Sequence, residues 1–280
     1  MTKPIWIIEK SWDDSSWENL KEEIEYQEYE VITKENVNLQ SKDLDLLYDQ
    51  CIIFQGTING YRAIKQYPWY PGHWLNEINY KCSTYYPIFK NMLFNNIYII
   101  LPFSEFERLS FMVYRRWFES FDLFIRPDSG LKPFTGMLLE FDDIENNTYN
   151  WALLKSTVDP NELIIIAPPK KIIEETRFII LNNEILTFSM YEKDEKIHMS
   201  NNEVSKECIE YVKHVLTYIN NWQPDNVWVI DIAKDNDDRY GVLEINSFTC
   251  SDLYDCDMES IVKSISEQAI KEYKEVFDEL

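Results

Sequence analysis

The sequence predicts a mixed α+β protein with a small α/β unit at its N-terminus, on three observations. First, the apolar run "IWII", the charged amphipathic stretch "WENLKEEIEYQEYE" and the apolar run "QCIIFQ" follow each other as strand, helix and strand. Second, short apolar segments, "MLLEF", "YNWALL", "ELIIIA" and "TRFIIL", succeed one another as strands between two amphipathic helical patterns. Third, "VWVIDIAKDNDDRYGVLEINSF" places two runs of β-branched and aromatic residues either side of a polar turn ending in Tyr240 and Gly241, an antiparallel hairpin.

The elements follow in order. Ser15 or Ser16 is placed to cap the first helix. "QCIIFQGTING" reads as a strand running into a glycine-containing loop, and the aromatic-rich stretch from Tyr61 to Phe94 as loops with one short helix, because proline and glycine interrupt each period. In "SEFERLSFMVYRRWFESF", Ser104 and Glu107 form a capping-box pattern, and Phe106, Leu109, Met112 and Val113 recur at helical spacing. "VSKECIEYVKHVLTYINNW" and "MESIVKSISEQAIKEYKEVF" are further amphipathic helices. No internal repeat or long linker breaks the chain. The boundary of least disruption falls near residue 104, dividing it into 1–103 and 104–280.

Composition narrows the function. The chain has 280 residues, 45% of them hydrophobic, enough for a substantial core. Its 27 Lys and Arg against 49 Asp and Glu leave a formal charge of −22, which argues against duplex nucleic acid and anionic membranes as partners. The apolar runs are too short to span a bilayer and the N-terminus lacks the apolar core of a secretory signal, so a cytoplasmic location is expected. Five cysteines without C-x-x-C spacing indicate neither a disulfide framework nor a zinc ribbon, and three scattered histidines make no zinc motif. The P-loop and G-x-G-x-x-G signatures are both missing.

Two constellations carry chemistry. Glu244 and Asn246, two apart on a strand, share one face, and Asp231 sits on the neighbouring strand. Such oxygens amid apolar strands suit a hard cation such as magnesium, although the same pattern also fits a strand pair whose polar residues face solvent. An EF-hand fits worse, since Tyr240 and Asn246 would fall where the loop needs glycine and glutamate. The second constellation is "FIRPDSGLKPFTG", which gathers Arg126, Lys132, Gly130 and Gly136 in a chain with only six glycines. Read alone, it is either a permissive phosphate-approaching loop or a surface turn with incidental charges.

Asp231, Glu244 thirteen residues later, and Asn246 resemble the D…E-x-N metal triad of the ATP-grasp superfamily. "FIRPDSGLKPFTG" resembles the Arg-Pro…Lys…Thr-Gly signature of a clade common in phages and bacteria. "LIIIAPPKKIIEETRFIIL" resembles that superfamily's hinge strand and E-x-R segment. The likeness covers roughly residues 104 to 256. It implies two α+β lobes clamping ATP, with the N-terminal unit as a pre-ATP-grasp domain. It further implies ATP- and magnesium-dependent joining of a carboxylate to an amine through an acyl phosphate, with an amino acid or peptide as a candidate substrate and with release of ADP. A kinase acting on a hydroxyl and a non-catalytic nucleotide-responsive binder are the alternatives.

On this resemblance Asp231, Glu244 and Asn246 would hold Mg²⁺, and Arg126 and Lys132 would contact phosphates, with Gly136 and Gly130 opening the backbone. Many relatives carry lysine where Arg126 stands, and a planar fork is not equivalent to a point charge. Adenine would meet backbone near Ile166 and Ala167, or from Lys170 onward, because Pro168 and Pro169 have no N–H. Arg177 would grip a phosphate or substrate carboxylate, and Glu175 would orient it or meet the ribose. Ser247, Ser251 and Tyr254 would line the acceptor site. Cys250 lies near them, but no base close in sequence points to a nucleophile.

Overall fold

The structure is a computed structural model that describes residues 3–10, 16–42, 44–109, 111–120, 122–220 and 222–277. Its strands form three sheets. The first takes β1 (Ile5–Glu9), β2 (Glu30–Lys34), β3 (Cys51–Gln55) and β4 (Tyr70–Gly72) in the order β2-β1-β3-β4, with every pairing parallel. All five residues of β1 are buried, as expected of a strand covered on both faces. Ile5 and Ile7 join one core, Trp6 and Ile8 the other, following the two-residue period. Helix α1 (Ser16–Tyr26) and the long α9 (Met258–Phe277) cover the second core, where Trp6 Nε1 donates to Ser266 Oγ at 3.0 Å.

The central sheet has the order β11-β10-β9-β12-β13, all antiparallel: β9 (Ile172–Leu181), β10 (Glu184–Lys193), β11 (Lys196–Ser200), β12 (Val227–Asp235) and β13 (Tyr240–Ser247). Along β12, Val227 and Val229 pack toward α9 while Trp228, Ile230 and Ile232 enter the other core, on the side of α8 (Lys206–Tyr218). The third sheet, β5-β8-β6-β7, joins β5 (Ile99–Pro102), β6 (Asp122–Pro127), β7 (Met137–Glu140) and β8 (Leu163–Ala167). Its own core includes residues from α4 (Phe103–Arg108), α5 (Phe111–Phe118), α6 (Phe141–Glu145) and α7 (Tyr149–Thr157). The hairpin at 227–247 and the terminal helix stand where the sequence places them.

Several expectations need correction. "YNWALL" is the helix α7, not a strand: Trp151, Leu154 and Val158 recur at helical spacing and are buried, while Tyr149 and Leu153 face out. A six-residue apolar run does not distinguish the two periods. The capping box at Ser104 does not form, because Pro102 occupies the N-cap position and Ser104 falls inside α4, which ends at Arg108 before α5 begins. Pro102, extended at φ −61° and ψ 145°, starts the helix two residues earlier than the capping-box pattern places it. The loop after β3 turns at once into α2 (Ile58–Ile64), whose cap is Thr57 Oγ1, accepting from Gly60 N at 3.0 Å. Between Tyr61 and Phe94 the short helix is α3 (Cys82–Phe89), with β4 in addition. Helix α1 stops at Tyr26 and Glu28 turns at φ 60° into β2, an edge strand the helical pattern had concealed. The cap expected at Ser15 or Ser16 lies outside the described side chains.

Candidate active site

Three adjacent strands bring the polar residues together. Asp231 on β12 stands opposite Glu244 on β13 and opposite Arg177 on β9, so the three cross the sheet side by side. Directly opposed residues share a face, and Asn246, two residues beyond Glu244, joins them. Arg177 forms a two-point fork on Asp231, Nε to Oδ1 at 2.9 Å and Nη2 to Oδ2 at 2.8 Å. Its Nη1 donates to the Asp252 carbonyl at 2.9 Å. The guanidinium also lies over the rings of Tyr254 and Tyr191, 5.0 and 5.5 Å from their centroids, and those two rings stack at 4.8 Å. Asp231 is 1% exposed and Arg177 7%. Burial pulls the Arg177 pKa down, but the Asp231 carboxylate together with Tyr254 and Tyr191 outweighs it and holds the group well above its ordinary value.

The loop from β6 supplies the remaining charge. Arg126 Nη2 donates to Glu244 Oε2 and Lys132 Nζ to Oε1, each at 2.8 Å. Asn246 Nδ2 spans both carboxylates, 2.9 Å from Asp231 Oδ2 and 2.9 Å from Glu244 Oε1. Burial opposes ionisation of Glu244, yet Lys132 and Arg126 hold its carboxyl well below the usual range. Three cations thus pair with two carboxylates, and Asp252 adds a third acidic residue to the lining, so the cluster gathers its cations without the acidic surplus of the whole chain, whose charge is −22.

That loop is more than a surface turn. Asp128, 4% exposed, accepts from Ser83 N at 2.6 Å and Ser83 Oγ at 2.9 Å, at the first turn of α3. A Cβ on Gly130 would sit 2.7 Å from Tyr80 Cβ, so only glycine lets the loop lie against that ring-bearing residue. Lys132 itself has φ 43°, a left-handed conformation uncommon for a non-glycine residue.

The cluster opens into a cleft of two connected compartments. The inner one, about 310 Å³, is lined by Lys132, Arg177, Tyr191, Glu244 and Asn246 among others, and by the expected Ser247, Ser251 and Tyr254. The outer one, about 510 Å³, reaches the first sheet through Glu9, Gln55, Gly56 and Arg62. Ile58, Lys132, Cys250, Ser251 and Asp252 border both. Burial pushes the Cys250 thiol up, the opposite of what a nucleophile needs.

Other expected residues lie elsewhere. Ile166 and Ala167 are fully buried in β8, where Ile166 is paired on both sides and Ala167 with Phe124 alone. Lys170 donates to the Phe94 carbonyl and covers its ring at 4.9 Å. None of these three lines either compartment. Glu175 accepts from the Tyr191 hydroxyl, and burial raises its carboxyl to about 7. Gly136 lies against Phe124, whose Cζ would be 3.0 Å from an added Cβ. Sequence reasoning missed Glu9, Gln55, Arg62 and Tyr191; only the strand-end position of Glu9 and Gln55 carries any signal, since loops after parallel strands often bind ligands.

A family model of the ATP-grasp domain, the second family of its clade, matches residues 105–264. No curated protein matches. Among solved structures, the chain is similar to D-cycloserine synthetase DcsG (TM-score 0.63, 9% identity, covering 95% of this chain and 99% of that one). It is also similar to D-alanine–D-alanine ligase from Bacillus anthracis complexed with ATP (0.60, 15%, 98% and 99%). Macrocyclase MdnC bound with precursor peptide MdnA from Microcystis aeruginosa MRC aligns as well (0.52, 12%, 96% and 99%). At these identities the likeness is one of fold, and it extends along nearly the whole of each chain. Because the family match spans more than half of the sequence and the fold agrees throughout, the chain belongs to the ATP-grasp proteins, in the clade that this family model describes.

Proposed function

We propose that the protein is an ATP-dependent ligase that phosphorylates a carboxylate and passes the acyl group to an amine, releasing ADP. The observation that carries this reading is the opposition of Arg126, Lys132 and Arg177 to Asp231, Glu244 and Asn246 at the floor of one cleft. Three cations gathered at one point suit a polyanion that the rest of the surface repels.

The donor set fits magnesium: Asp231 and Glu244 offer hard carboxylate oxygens, and Asn246, whose Nδ2 spans both of them here, would turn its amide oxygen to the ion. Glu244 and Asn246, with Asp231, would hold the ion, which supplies neutralisation of phosphate charge when bound. Lys132 is the most exposed of the three cations, at 36%, and is the one able to turn from Glu244 to a phosphate. Arg126 then keeps Glu244 in place. Arg177 spends three of its five N–H groups on Asp231 and Asp252, so two remain for a phosphate or the substrate carboxylate. Adenine would take backbone at Ala167, the end of β8, or beyond the two prolines.

Thermal unfolding with and without Mg-ATP tests the site. Ligand at 100 times its Kd adds about 2.7 kcal/mol of stability. A rise in wild type that needs magnesium and vanishes in a Glu244→Ala, Asn246→Ala double variant is the expected result; no rise at millimolar Mg-ATP would overturn the reading. Hydroxylamine then separates chemistries, because an acyl phosphate is intercepted as a hydroxamate whereas a phosphorylated hydroxyl survives and would mark a kinase.

A further inference from the structure

Helix α3 begins without a cap of its own. Lys81 stands at its N-cap position and makes no side-chain bond to the first turn, so the amides of Cys82 and Ser83 need acceptors from elsewhere. One residue supplies them. The Asp128 carbonyl accepts from Cys82 N at 2.9 Å, and its carboxylate accepts from Ser83 N through Oδ1 at 2.6 Å and from Ser83 Oγ through Oδ2 at 2.9 Å. The same residue donates its own N–H to the Leu163 carbonyl at 2.8 Å, at the start of β8. Asp128 is 4% exposed, and these donors, with the positive end of the helix, offset the cost of burying its carboxylate.

This seat joins parts that pack separately. Cys82, Tyr85, Tyr86 and Phe89 of α3 lie in the core that the first and central sheets share, whereas Leu123 and Ile125 of β6 lie in the core of the third. Asp128, just past the end of β6, therefore fixes a loop of the third sheet to the body that carries Glu244. Two further contacts hold the loop to the same body. Gly130 lies against Tyr80, which leads into α3, and Arg62 Nη2 donates to the Leu131 carbonyl at 3.4 Å. Arg126 precedes this anchored stretch and Lys132 follows it, and each donates to Glu244 at 2.8 Å. Asp128 itself is absent from the lining of both compartments.

We infer that Asp128 is a positioning residue: by capping α3 it sets the loop so that Arg126 and Lys132 face Glu244, and its influence on nucleotide binding runs through those two cations. The nucleotide part rests on the reading of Arg126 and Lys132 as phosphate contacts, but the seat does not. Gly130 is part of the same device, because a side chain there would push the loop off Tyr80.

The test is a double-variant cycle on the Mg-ATP affinity of the full chain, read by titration calorimetry. Asp128→Ala should weaken Mg-ATP about ten-fold, the scale of a lost charge-assisted contact. Asp128→Asn should stay within about two-fold of wild type, because its amide keeps both contacts to Ser83 once the hydroxyl turns. Added to Lys132→Ala, Asp128→Ala should weaken binding by less than about three-fold further, whereas a change that merely loosened the fold would act as strongly as before. Gly130→Ala, whose new Cβ would stand 2.7 Å from Tyr80 Cβ, shifts the loop with the cap left in place and should weaken Mg-ATP in the same way. It decides the matter if Asp128→Ala does not fold. Wild-type affinity in Asp128→Ala, or the full ten-fold loss in the Lys132→Ala background, overturns the inference, as does wild-type affinity in Gly130→Ala.

Amide hydrogen exchange of the nucleotide-free chain reads the seat by itself. Residues 128–136 and the first turn of α3 should exchange faster in Asp128→Ala or Gly130→Ala, and unchanged protection there overturns the seat. Faster exchange together with no Mg-ATP binding by wild type would instead sink the nucleotide reading and leave the seat assigned.

Discussion

Glu175 shows how a single residue couples the site to pH. Burial lifts its carboxyl from an ordinary 4.5 to about 7, while the Tyr191 hydroxyl works the other way. The folded chain therefore keeps a proton that the unfolded chain has lost, and fewer protons bound in the unfolded state means stability falls as pH rises. The loss runs from about 4.5 to about 7 and then levels. Asp225, lifted by burial from 3.8 to about 6, adds a loss in the same direction over its own window. Glu175→Gln should remove its share: the fall in melting temperature between pH 5 and 7 will be smaller in the variant than in wild type, and an equal fall would show that Glu175 is ionised throughout. Sequence alone identified Asp231, Glu244, Asn246, Arg126, Lys132 and Arg177 as one group, through spacing and the family resemblance. It did not reveal that Arg177 and Asp231 are joined as a buried fork, because that depends on the pairing of β9 with β12.

Elements set the site at the next scale. The β12–β13 hairpin was legible because its two runs and their turn are contiguous, so local pattern and tertiary pairing agree. Helix α7 was not, because its short apolar run fits either period and only its packing under the third sheet chooses the helix. Helix α8 joins the hairpin through its cap: Ser205 Oγ accepts from Cys208 N at 3.1 Å and lies 2.8 Å from the Tyr240 hydroxyl at the start of β13. Ser205→Ala should lower unfolding free energy by about 1 kcal/mol, the usual worth of such a cap. Chemical denaturation measures it, and a change within error would mean water replaces both contacts.

The whole molecule carries a charge of −22 around a site where Arg126, Lys132 and Arg177 gather. Long-range repulsion should slow the approach of Mg-ATP, while the buried Arg126 and Arg177 keep their short-range grip. The association rate of Mg-ATP should therefore rise with ionic strength in stopped-flow mixing, the reverse of a nucleic-acid binder. A falling rate would mean the local field of the site dominates the encounter.

What the sequence by itself determined is whatever lies within one strand or one helix. The buried strands "IWII" and "LIIIA", the final amphipathic helix, the one-face placement of Glu244 and Asn246, and the acidic balance that argues against duplex nucleic acid all follow from periods and charges read along the chain. Tertiary structure alone decided which distant segments meet. It placed Lys132 on Glu244 across 112 positions and set the ends of β1 and β3 beside Lys132 in one cleft. Such contacts depend on sheet order and register, which are settled by burial of the whole core and leave no local mark in the sequence.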